Sequence, residues 1–188
     1  MAININNIVD DVFLQRAGNK LIFIIRRRTN KGIFLPGSSR RANQYSTKPF
    51  AMPVYSASKM LGANITRAAK LDPDNYHLFT SKAGNLWVLV KKGYKEIRRK
   101  ANKFSDHVTM QFTSGYMRDL SVLRTGGTAA DVGWKSGRNQ RLATFHEVMG
   151  AGKSKRLHKI LGMLKKEEDE MQAYIEAAFV RKFKKVFK

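Results

Sequence analysis

The chain has 188 residues, 43% of them hydrophobic, which suits one domain with an apolar core and excludes a wholly disordered protein. Its 36 Lys+Arg against 14 Asp+Glu give a formal net charge of +22, predicting attraction to a polyanion or an acidic protein surface. The absence of cysteine excludes disulfides, thiolate metal sites and a cysteine nucleophile.

In chain order, Ile5, Ile8, Val9, Val12, Phe13, Leu21, Ile24 and Ile25 recur mostly at spacings of three and four. This predicts one or two helices up to Arg28, with Gly18 as the interruption. Asp10 and Asp11 at the start and Arg26-Arg27-Arg28 at the end complement a helix dipole. The same acids argue against a secretory signal, and the run LIFII is far shorter than the roughly 20 residues of a membrane span. No membrane partner is expected.

Residues 29–53 mix glycine, proline and serine with basic residues and read as an extended arm or loop within the single domain 1–188. Ile33, Phe34, Leu35, Tyr45 and Phe50 make this arm too apolar for an idle linker, so they are expected at a subunit or partner contact. Arg26, Arg27, Arg28, Arg40 and Arg41 are candidates for contact with DNA or an acidic partner, set against the plainer reading of a solvated helix end. VYSASKMLGANITRAAKL predicts a helix, closed by the turn Asp72-Pro73-Asp74-Asn75.

Short strands follow. NLWVLV is an apolar run, and HVTMQF alternates so that Val108, Met110 and Phe112 share a face. LSVLR and AADVGW flank Gly126-Gly127, a hairpin signal because both glycines tolerate positive φ. From Lys165 to Lys188 a long helix is predicted, with Leu164, Met171, Tyr174, Ile175, Ala178, Phe179, Phe183 and Val186 as its apolar stripe. The expected class is α+β: a small antiparallel sheet packed with an N-terminal helix and a long C-terminal helix, plus the basic arm. Trp87 and Trp134 are expected in the core or at a subunit contact, with Trp134 the contact candidate.

Two enzyme motifs are incomplete. Gly152-Lys153-Ser154 ends the phosphate loop G-x-x-x-x-G-K-[ST], but the first glycine position holds Glu147, whose carboxylate repels phosphate, and no apolar strand precedes it. His146-Glu147 begins H-E-x-x-H, yet the second ligand position holds Gly150. His146 is therefore read as a surface or interface histidine and Glu147 as a helix-surface acid paired with a lysine. No catalytic residue, metal or cofactor is expected.

The order of elements in the second half carries more. Gly115 and Met117 form a turn. Val132-Gly133-Trp134 ends the hairpin, His146 and Gly150 close a helix, and Arg156 with Ile160-Leu161-Gly162 precedes the final acidic helix. This arrangement, over roughly Lys92 to Glu176, resembles the virion-morphogenesis family of tailed bacteriophages, the tail-completion or head-tail joining proteins. The family's proline-aromatic step before Leu-Gly is replaced here by Leu157-His158-Lys159, and Ser114 is an extra residue. The resemblance implies a non-enzymatic homo-oligomeric ring at the virion neck, made in the host cytoplasm. Its implied partners are portal or head-tail connector proteins on one side and tail tube or tail terminator proteins on the other, with DNA passing through the channel. The competing reading is a basic RNA-binding protein of ribosomal type, into whose RNA the arm would thread.

Overall fold

The computed structural model describes residues 9–101, 103, 106–110, 115–150 and 155–186. In chain order the elements are α1 (Asp11–Asn30), β1 (Phe50–Pro53), α2 (Val54–Leu61), α3 (Ile65–Leu71), β2 (Tyr76–Thr80), β3 (Leu86–Val90), α4 (Gly93–Lys100), α5 (Gly115–Arg118), β4 (Leu120–Gly126), β5 (Ala129–Trp134), α6 (Gly137–Thr144) and α7 (Lys165–Val186). A π-helical turn, Phe145–Met149, continues α6. The class is α+β. The single domain expected from chain length divides into two compact units, one of residues 1–42 and 113–188, the other of residues 43–112. Each encloses its own apolar cluster, and the strands form two sheets rather than one.

In the first unit α1 is one continuous helix. The Asp10 carboxylate caps it by accepting from the Phe13 N–H at 2.8 Å. Gly18 does not interrupt it: the residue is buried, and a Cβ there would lie 2.5 Å from Val122 Cγ2 on β4. The glycine thus lets α1 press onto the β4–β5 hairpin. Ile24 and Ile25 are fully buried along this helix, each burial worth about 1.5–3 kcal/mol. The hairpin turns at Gly127-Thr128 rather than Gly126-Gly127, since Gly126 is already paired with Ala129 and only Gly127 takes positive φ. α7 packs against α1, with Met171 closing a cluster with Ala17 and Ile24.

The second unit has a three-stranded antiparallel sheet in the order β1-β3-β2. The predicted run NLWVLV becomes the central strand, burying Val88 and Val90 against Ala57, Ile65, Ala69, Tyr76 and Ile97. The helix predicted upstream is split. Gly62, left-handed at φ +62, ends α2, and the Asn64 side chain caps α3 by accepting from the Thr66 and Arg67 N–H groups. β1 lies at the edge, where Pro53 costs no ladder bond. The described part of HVTMQF, His107–Met110, is not a strand, because it runs irregularly with Met110 at φ +56. Val108 and Thr109 are both buried, and Val108 gives its N–H to the Asn43 carbonyl at 2.9 Å, so neither strand pairing nor one-sided burial follows the alternation. Phe112 lies outside the described residues.

Candidate functional site

The motif positions of the second half meet in the first unit. α5 presents Tyr116, whose ring stacks on Trp134 at the end of β5 with centroids 4.9 Å apart. The Trp134 indole N–H donates to the Tyr116 carbonyl at 3.1 Å. At the far end of α6 the π-helical turn swings His146 to within 5.7 Å of the Tyr116 ring and sets it edge-on to His158. The two imidazoles approach Nδ1 to Nδ1 at 3.4 Å, and the His158 N–H donates to the His146 carbonyl at 2.7 Å. Phe34 closes the row, edge-on to His158 at 5.2 Å.

The segment after the second histidine is laced on both sides. Leu35 N–H donates to the Lys159 carbonyl, Ser39 N–H to the Leu157 carbonyl, and the Ser38 and Ser39 hydroxyls accept from the Lys159 and Leu157 N–H groups, all at 2.9–3.0 Å. On the other side the Glu147 carboxylate accepts from the Ile160 and Leu161 N–H groups at 3.3 and 3.0 Å, and the Lys159 ammonium donates to the Glu147 carbonyl. Glu147 is therefore a half-buried anchor for the chain ahead of α7, correcting its reading as a helix-surface acid. Gly150 is required by geometry: at φ +82, a Cβ would lie 2.3 Å from the Lys155 carbonyl oxygen. Gly152, Lys153 and Ser154 lie outside the described residues, and what precedes them is helix.

The environment shifts how these groups titrate. Burial lowers the pKa of His146, and burial together with His146 lowers that of His158 to about 4. Burial raises the Glu147 carboxyl, opposed by the Leu161 and Ile160 N–H groups. It also raises the Tyr116 phenol, helped by Glu147, and among the described residues the Tyr116 hydroxyl has no hydrogen-bond partner. Each neutral imidazole has one donor and one acceptor nitrogen, so at the facing Nδ1 pair one ring donates and the other accepts.

The three arginines at the end of α1 each have partners within the unit, and of them Arg27 stays exposed. Arg26 donates to the carbonyls of Met117, Arg118 and Leu120 at 2.9–3.1 Å. Arg27 pairs with Glu170. Arg28, 3% exposed, donates to the carbonyls of Ile160 and Gly162 and to the Glu167 carboxylate at 2.6 Å. Glu167 in turn accepts from the Leu164 N–H at 2.9 Å, tying off the start of α7. These side chains sit opposite backbone carbonyls left open by helix and loop ends, and a guanidinium satisfies several at once. Arg40 and Arg41 remain exposed in a turn, where the Arg41 carbonyl accepts from Arg156 at 3.1 Å.

The contact candidates divide likewise. Trp134, 3% exposed, is a core residue and not a contact, because Tyr116 and the hairpin cover it. Phe34 and Leu35 are half-buried on their own unit, while Ile33 stays 45% exposed. Tyr45 and Phe50 belong to the second unit, where Tyr45 lies under the Arg98 guanidinium at 4.4 Å and Phe50 packs on the apolar cluster. The arm is thus no free segment: it lies against its own chain in both units, and its last residues form β1. Tyr116 and His158 are not singled out by the sequence and Glu147 is misplaced on a helix surface, although His146-Glu147 and the basic SKRLHKILGM stretch mark the neighbourhood. Among the described residues no three His, Cys, Asp or Glu side chains cluster to hold a metal, and no helix is long and apolar enough to cross a membrane. No family model, no curated protein and no solved structure matches the chain.

Proposed function

We propose that the chain is a structural subunit of a tailed-phage neck, a tail-completion or head-tail joining protein that forms a ring between portal or connector and tail. The observation that carries this reading is convergence. Of the positions behind the resemblance, Trp134 and His146 meet around Tyr116 and His158, and Glu147, next to His146, holds the Ile160 and Leu161 N–H groups, so residues from three of its motifs gather in one region. The two histidine rings face each other and the Glu147 carboxylate is spent on backbone N–H groups, which favours a scaffold over an enzyme. Arg40 and Arg41, exposed in their turn, are left to face DNA in the channel or an acidic neighbour.

The test is mass photometry with negative-stain imaging of the purified full chain. A uniform ring is the expected result. A monomer that copurifies with ribosomal RNA would replace this reading with the RNA-binding one.

A further inference from the structure

We propose that copies of this chain join head to tail, the acidic start of α7 on one copy docking into a basic groove beside the end of α7 on the next. This rests on the ring reading and names the contact that would build it. The groove, about 700 Å3, lies between the first turns of α1 and the last turns of α7. Its half-buried lining is the Asp10–Lys182 pair with Phe13, Tyr174 and Ala178. Arg16, Arg181, Lys184 and Lys185 border it, all exposed. The acid in its lining, Asp10, is already bonded to Lys182 at 2.5 Å and to the Phe13 N–H. Nearby Val12 is 58% exposed, so the site offers uncovered apolar surface within unopposed positive charge.

A matching surface exists on the same molecule. Only 14 residues are acidic, and four of them are consecutive, Glu167 to Glu170. Glu167 and Glu170 turn inward to the α1 cations. Glu168 and Asp169 point outward with side chains 51% and 62% exposed, bridged only weakly by Lys165 at 3.7 and 3.3 Å, itself 83% exposed. Glu176, two turns beyond Asp169 on the same face, is exposed as well. Just ahead of these acids, Leu161 is 38% exposed and supplies an apolar residue for the groove.

One copy cannot satisfy itself. Asp169 and Lys185 stand at opposite ends of a continuous helix, about 24 Å apart at 1.5 Å per residue. Two different patches that match only between copies make a heterologous contact, the kind that closes into a ring when its rotation permits. A nucleic acid would neutralise the cations but leave Val12 and Phe13 uncovered. The acidic end of α7 meets both needs.

The test is a charge swap in the full chain, read by mass photometry at low and high salt. Glu168→Lys with Asp169→Lys, and separately Lys184→Glu with Lys185→Glu, should each raise the concentration needed for half-assembly by about tenfold or more. Melting temperatures should stay within a few degrees, as these positions are exposed. An equal mixture of the two variants restores complementary charge at every contact and should recover oligomers. Rings that persist in both single variants, or a mixture that recovers nothing, overturn the contact while leaving the ring reading intact. A wild-type monomer overturns both, and loss of heparin or DNA retention in the Lys184/Lys185 variant would then assign the groove to nucleic acid.

Discussion

The two units are held in different ways. The second is one stretch of chain, residues 43–112, and its cluster of Ala57, Ile65, Ala69, Tyr76, Val88, Val90 and Ile97 is apolar apart from one phenol. Several of its polar bonds are local, such as Glu96 with Arg99 and Asn75 with Asp72, each three residues apart. The first unit closes over the whole chain, bringing residues 1–42 to 113–188. There the joining bonds are polar and distant: Arg28 reaches Glu167 across 139 positions, and Lys20 reaches Glu170 across 150. Closing long loops costs entropy before contacts form, and a buried ion pair with fixed carbonyl partners selects one register where apolar contact alone would accept several.

The strongest way to break this contrast is Arg28→Ala, which leaves Glu167 buried without its cation. The first unit should lose about 3–5 kcal/mol, seen by hydrogen exchange as deprotection of α1 and α7 with β3 still protected. Arg28→Met with Glu167→Leu should return much of that stability. Equal deprotection of both units in the single variant would erase the distinction. The mirror experiment, Ile97→Ala, removes a fully buried side chain from the second unit and should cost about 2–5 kcal/mol there alone.

pH sharpens the comparison. The His158 pKa is lowered in the folded chain to about 4 from an ordinary 6.5, so between these values the unfolded chain binds more protons. Stability from this group is complete above 6.5 and falls as pH drops toward 4, by up to about 3 kcal/mol. Urea melts from pH 7 to 4.5 should show the loss in the first unit, and His158→Gln should flatten it. Glu147, whose pKa is raised, works in the opposite sense, its contribution fading as pH rises above the ordinary carboxyl range. The smallest effect is expected at Gly18→Ala. Helix propensity gains about 1 kcal/mol, but the methyl group meets Val122 at 2.5 Å and overpacking costs about 1–3. A lowered melting temperature, recovered by Val122→Ala, would place α1 on β4 as described.

The same contrast decides what the sequence revealed. The helices α1 and α7, the run NLWVLV and the Gly-Gly hairpin are legible because periodicity and turn chemistry report one-sided burial directly. HVTMQF carried the alternation without the pairing, since pairing needs a neighbour that the pattern does not name. β2, YHLFT, was hidden by having only Tyr76 buried and Leu78 half-buried along its length. Arg28 looked like a surface cation because nothing local signals that a carboxylate 139 positions away will enclose it. Glu147 failed for the same reason: its partners are two backbone N–H groups, and backbone groups leave no mark in a sequence.

Gold-labelled antibody against this chain, imaged on purified virions, tests the neck reading most directly. One focus of label on each particle is expected, at the junction of head and tail, where a ring between portal and tail would sit. Particles that carry no label, or label confined to the tail tip or the capsid surface, would contradict it.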